Sequence, residues 1–182
     1  MNKPLVIIIT GRPASGKTTL AYIISKEIKC PVVSRDELKE GYINTTAIPH
    51  NQSNTLVDLY IYETFFQTID LLISKRISII IEAAFQHKLW QPKLLEFINK
   101  ADVRIIICET NTELTKARFT NRFLKNPDRE KFHGDKSNEI FASLIDVYEP
   151  VNIEASTLYV DTTDDYNPTI EQIIHFIKET KD

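Results

Sequence analysis

The sequence predicts an α/β domain in which a five-stranded parallel sheet is sandwiched between helices. Apolar runs rich in Ile and Val recur at residues 5–10, 77–82, 103–108 and 158–161, with 31–34 as a further strand. Most of these runs are continuous rather than alternating, which is the pattern of strands covered on both faces. Segments of helix length separate them, and strand alternating with helix builds right-handed βαβ units.

Each element follows from its local residues. Residues 5–10 lead directly into Gly11, so the first strand ends at a turn. Helices are expected over 16–29, about 54–75, 88–99, 112–125, 137–147 and 168–179. In the second of these, Leu56, Leu59, Tyr60, Phe66, Ile69 and Ile73 recur mostly at three- and four-residue steps, as a stripe packed on the sheet does. Pro168 suits the first turn of the last helix, with Asn167 as its cap. Residues 125–135, KNPDREKFHGD, gather polar and breaker residues and read as a mobile loop.

At 182 residues the chain is the length of one domain, residues 1–182, with a core over a central sheet. Hydrophobic residues at 42% and charged residues at 26% exclude disordered and low-complexity classes. A formal net charge of −3 leaves no global positive field for long duplex DNA or an anionic membrane, so any nucleic-acid contact must be a local basic patch. Cys30 and Cys108 lie far apart with no paired cysteine or histidine cluster nearby, which fits reduced thiols and a cytoplasmic protein rather than a zinc site. No apolar run approaches the roughly 20 residues that span a bilayer, and the N-terminal run reads as a strand rather than a signal peptide.

The most specific motif is GRPASGKTT, spanning Gly11, Arg12, Pro13, Ala14, Ser15, Gly16, Lys17, Thr18 and Thr19. It fits G-x-x-x-x-G-K-[ST] between a strand and a helix, the phosphate loop of nucleotide-binding proteins, and so places the chain in the P-loop NTPase fold. Glycines let backbone amides close around a polyphosphate, the helix N-terminus adds positive potential, Lys17 can reach the outer phosphates, and Thr18 can offer its hydroxyl to Mg²⁺. A nucleoside triphosphate with magnesium is the expected ligand. Asn99-Lys100-Ala101-Asp102 matches the guanine-reading N-K-x-D of GTPases, but it ends a helix and precedes a strand, so it reads as a turn at the opposite sheet edge.

Taken together, GRPASGKTT, VVSRDELKEGY, IIIEAAF, TELTKARFTNR and DREKFHGD resemble a family of small P-loop kinases with an AAA-type ATP-binding domain. The relatives are polynucleotide 5′-hydroxyl kinases, with zeta toxins and chloramphenicol phosphotransferase more distant. The resemblance implies ATP as donor and a hydroxyl as acceptor. It makes Asp36 the general base, with Arg35 and Lys39 beside it on the acceptor; Lys39 stands where the family has Arg and cannot copy a bidentate clasp. Elementary chemistry agrees, since a carboxylate at the C-terminal sheet edge beside the phosphate loop can take a hydroxyl proton; a first-turn helix acid is the other reading of Asp36. The resemblance places Glu82, where relatives carry Asp, near magnesium or its waters, and Phe85, Gln86, His87 and Trp90 at the acceptor groove. Those rings could stack a base or close the core. Arg118 and Arg122 share a helical face and resemble the arginines of a short lid over about 118–136, with Arg122 the first choice for phosphate contact. Arg129, His133 and Asp135 look like the family's R-x-x-x-H-x-D stretch.

Two readings follow. One is a kinase passing the γ-phosphoryl group to a hydroxyl on a nucleic-acid 5′ end, a nucleoside or another small molecule. The other is a slow ATPase acting as a nucleotide-dependent regulator or binding module. Asp36 separates them, because a switch needs no base facing an acceptor.

Overall fold

Strand β1 (Leu5–Gly11) is buried at every residue after Leu5, and its side chains alternate between two cores. Val6 and Ile8 enter one, Ile7 and Ile9 the other. A strand can be apolar on both faces only if helices cover both, and that is the arrangement found. The computed structural model describes residues 3–48, 55–85, 87–125, 132 and 148–179. The expected helix over 137–147, Gln86, and the stretch holding Arg129, His133 and Asp135 lie outside the described residues.

The sheet order is β2 (Val32–Ser34), β3 (Ile79–Glu82), β1, β4 (Asp102–Glu109), β5 (Ser156–Asp161), with all neighbours parallel. One face is packed by α3 (Thr55–Ser74) and α4 (His87–Ile98) through Phe65, Phe66, Ile69, Ile73, Leu94 and Phe97. The other is packed by α1 (Lys17–Ile28) and α6 (Ile170–Lys178) through Leu20, Ala21, Ile24, Ile173 and Ile177. Fully burying one such side chain stabilises the fold by roughly 1.5–3 kcal/mol, so these layers hold the sheet. Register brings Ser34, Glu82 and Ile9 to one level and continues to Gly11 opposite Cys108. The C-terminal strand ends therefore share one edge, where the loops that carry the motifs leave the sheet.

Several expectations are corrected. Helix α2 (Arg35–Thr46) starts immediately after β2, in a stretch whose mean hydropathy is too low to show an apolar stripe. The α3 stripe is half right: Phe66, Ile69 and Ile73 are buried, but Leu56, Leu59 and Tyr60 are exposed, and Ile61 and Phe65 take the inward positions. Strand β3 starts at Ile79, because the Ile77 amide closes the end of α3 on the Leu72 carbonyl at 3.0 Å. Thr169, not Asn167, caps the last helix. It forms a reciprocal capping box with Gln172, while the Asn167 backbone is already paired with Asp161.

Lys100 and Asp102 confirm the turn reading of the N-K-x-D match. Asp102 begins β4 at the edge away from the phosphate loop and pairs with Arg104, a buried cation that also donates to the Val103 and Glu179 carbonyls. Lys100 pairs with Asp70 at 2.8 Å. Cys30 and Cys108 are both free thiols. Among the described residues, no helix is long and apolar enough to cross a membrane.

Candidate active site

The loop between β1 and α1 is shaped by what cannot fit there. Gly11 has φ +148, and a Cβ would stand 2.3 Å from the Cys108 carbonyl oxygen and 2.6 Å from Ser15 Oγ. Ala14 (φ 61) and Gly16 (φ 87) are also left-handed, so the chain folds back sharply before α1 begins. The Arg12 carbonyl accepts the Ser15 amide and Lys17 Nζ, each at 3.2 Å. Ser15 Oγ is buried with no hydrogen-bond partner. An orphaned hydroxyl beside a helix N-terminus suits an oxyanion, since both supply donors to negative oxygen.

Outside the motif, Thr162 braces this loop. Its buried hydroxyl donates to the Ser15 carbonyl at 2.7 Å, with the Glu109 carbonyl oxygen also within reach at 3.1 Å. Arg118, on α5 (Thr112–Lys125), donates to the Thr162 and Thr163 carbonyls at 2.7 and 3.1 Å. Its guanidinium therefore props the segment that props the loop. Arg122, one turn further along, is exposed. Arg118 and Arg122 line a cavity of about 720 Å³ with Ala14, Gly16, Thr19 and Tyr166. That volume lies in the usual range for small-molecule sites. A second cavity of about 330 Å³ lies beside Arg12, Cys108 and Tyr148.

Across the same edge, Glu82 ends β3 and is buried. Ser34 Oγ donates to its Oε2 at 2.8 Å, and Lys17 Nζ lies 3.9 Å from its Oε1. Burial pushes the Glu82 carboxyl above the ordinary range, the Lys17 charge opposes this, and the Asp36 charge adds to it. A lysine and a carboxylate thus meet at the mouth of the loop, in a site dry enough to raise the carboxyl.

Asp36 stands in the first turn of α2 with its side chain 56% exposed, 3.5 Å from Arg35 Nη1. Asp36 is therefore a first-turn helix acid whose carboxylate is open to solvent. Lys39 differs from expectation. It is 3% exposed, and its ammonium meets Asp58 of α3 at 2.8 Å, while Arg35 Nη2 reaches the same oxygen at 3.4 Å. Phe85 is a correction: it is fully buried against Phe65 and Trp90, so it closes the core instead of lining an acceptor groove. A ring between two apolar layers gains more from burial than from an open edge.

Sequence reasoning missed Asp58, Thr162, and the link between α1 and α2 in which Tyr22 OH donates to Glu37 at 2.5–2.6 Å. That bond, with burial behind it, pushes the Tyr22 phenol up to about 12. The available signal for Asp58 was its place as the one acid in the first turn of α3.

A parallel sheet whose first strand passes through a glycine loop into its first helix defines the P-loop nucleotide-binding class, and the whole fold is that of P-loop kinases. More particularly, the family model for the AAA domain matches residues 6–150, and the chain belongs to that family. A candidate kinase from Chloroflexus aurantiacus shares the fold over 100% of both chains, with 20% identity and a TM-score of 0.85. The APS kinase of Mycobacterium tuberculosis, solved with AMPPNP and APS, matches over 98% of this chain and 99% of its own, with 12% identity and a TM-score of 0.64. The Pnkp1/Rnl/Hen1 RNA repair complex contains a chain matching 80% of this one over 45% of its own length, at 19% identity and a TM-score of 0.62. No curated protein is similar in sequence.

Proposed function

We propose that the protein is an ATP-dependent kinase that transfers the γ-phosphoryl group to a hydroxyl acceptor. The observation that carries this reading is the position of Asp36, an exposed carboxylate on the shared sheet edge whose charge is felt by Glu82, itself 3.9 Å from the phosphate-loop lysine. A nucleotide-binding switch has no use for a base in that place. In the proposed reaction the acceptor hydroxyl gives its proton to Asp36 Oδ, its oxygen bonds to the γ-phosphorus, and the bond from that phosphorus to the β–γ bridging oxygen breaks, releasing ADP. Lys17 and Arg122 offset charge on the transferring group, and the loop of Gly11, Arg12, Pro13, Ala14, Ser15 and Gly16 holds the phosphates through its amides. Thr19, Arg118 and Arg122 line the larger cavity beside the loop and would contact the bound nucleotide.

Thr18 and Glu82 are oxygen donors of the hard type that magnesium takes, and they would hold Mg²⁺, directly or through water, to neutralise phosphate charge. Among the described residues no cluster of three or more His, Cys, Asp or Glu could bind a metal alone, so the nucleotide's own oxygens would complete the set.

The decisive experiment is a screen of acceptors with radiolabelled ATP and Mg²⁺, including hydroxyl-ended oligonucleotides, nucleosides and sugars. Label should pass to one acceptor class and depend on Asp36. Slow release of phosphate to water with every acceptor, unchanged in Asp36→Asn, would instead support the nucleotide-dependent regulator.

A further inference from the structure

The acceptor side of the edge carries two cations that already have an anion. Lys39 Nζ and Arg35 Nη2 converge on one atom, Asp58 Oδ1, at 2.8 and 3.4 Å. Two basic groups around one carboxylate oxygen are what a ligand's phosphate or carboxylate would meet. Here the oxygen comes from the chain itself. Lys39 is almost fully buried, whereas the Asp58 side chain is 45% exposed, so the carboxylate lies at the outer end of the trio. The positive end of α2 is likewise answered by Asp36 and Glu37 in its first turn. Arg35 and Lys39 are thus balanced by Asp36 and Asp58 before any acceptor arrives.

We propose that Asp58 determines acceptor specificity by occupying the anion position of this clamp, so that the acceptor is a neutral polyhydroxyl molecule and one bearing a phosphate or carboxylate near the reacting hydroxyl is rejected. The proposal rests on the kinase reading above. An incoming anion must either displace Asp58 from a buried ammonium or stand beside its carboxylate; both are unfavourable. An uncharged hydroxyl meets neither obstacle, and it can donate to Asp36 or Asp58 while keeping the ion pairs intact. Uncharged sugars and nucleosides share this chemistry, and the test separates them.

Two matched acceptor pairs serve: glucose with gluconate, and adenosine with its 3′-monophosphate. In the unmodified protein the neutral member of the productive pair has the higher kcat/KM, and Asp58→Asn raises the anionic-to-neutral ratio about tenfold or more. An unchanged ratio in Asp58→Asn, or preference for the anionic member in the unmodified protein, overturns the proposal. A binding arm stands apart from turnover. Gluconate is titrated calorimetrically into Lys17→Ala protein without nucleotide, where the phosphate loop lacks its lysine. Adding Asp58→Asn should tighten gluconate binding about tenfold, and adding Arg35→Met and Lys39→Met should remove the gain. Equal affinity with and without Asp58→Asn refutes the clamp assignment. Should Asp58→Asn alone fail to fold because the buried Lys39 loses the Asp58 carboxylate, Asp58→Asn with Lys39→Met replaces it, and the gain should persist through Arg35. Absence of turnover with all four acceptors counts against the kinase reading alone, since the calorimetry still decides the role of Asp58.

Discussion

On the β1–β4–β5 side of the sheet edge the phosphate loop is held by main chain. The Arg12 and Ser15 carbonyls are fixed by Lys17 and Thr162, and the Thr162 and Thr163 carbonyls by Arg118. On the β2–β3 side the reactive groups are held by other side chains, mostly through charge: Arg35 by Asp36 and Asp58, Lys39 by Asp58, and Glu82 by the Ser34 hydroxyl and Lys17. Backbone anchoring makes one geometry with little tolerance for substitution. Charge anchoring makes a geometry that a ligand of suitable charge can re-partner. The first suits a ligand part common to all reactions of the class, the phosphates, and the second suits the part that varies.

Substitutions on the two sides should therefore fail differently. The largest effect is expected from Lys17→Ala, which should lower phosphoryl transfer by about 10³-fold or more by removing the charge that meets the phosphates, and should lower the melting temperature as well because the Arg12 carbonyl and the buried Glu82 lose the lysine ammonium. Near-normal turnover in that variant would remove the phosphate loop from the reaction. Next, Asp36→Asn should lower transfer by about 10²-fold with ATP affinity nearly unchanged, since it removes proton acceptance but retains helix-capping capacity. A weakened ATP affinity with an intact rate would show that the two sides are not separate.

Thr162→Val tests the backbone brace. It leaves the Ser15 carbonyl without its partner and should cost about 1–3 kcal/mol, read from urea midpoints, together with weaker ATP binding. The same exchange should leave the preference among acceptors untouched. An altered acceptor preference would break the division between the sides.

The smallest effect is a dependence on alkaline pH. Burial pushes the Cys108 thiol from 9.0 to about 12 and the Tyr148 phenol from 10.0 to about 12, and the Glu37 bond does the same for Tyr22. These acids stay protonated in the folded chain at pH values where the unfolded chain has released its protons. Their contribution is complete below the unfolded values and is lost as pH rises through 9 and 10 toward about 12. Urea midpoints should fall over this range, with Cys108→Ala flattening the fall between pH 9 and 10. An identical slope in that variant would show that the Cys108 thiol is not the group responsible.

The residues themselves announced the sheet and the phosphate loop, because both depend on local properties. Continuous Ile and Val runs can be satisfied only by a sheet covered on both faces, and a glycine, a lysine and a threonine at fixed spacing after such a run can be read without knowing their neighbours in space. The places of Arg35, Asp36 and Glu82 at strand ends were legible for the same reason. The partners were not. Asp58 is distant in sequence from Lys39, and nothing in the helix around it shows that it faces α2; Phe85 has the same composition at an open groove as in a closed core. Only tertiary packing decides those two cases: α2 against α3 brings a carboxylate to two cations, and α3 with α4 encloses the Phe85 ring between Phe65 and Trp90. Charge pairing and burial depend on which surfaces meet, and local spacing along the chain does not carry that information.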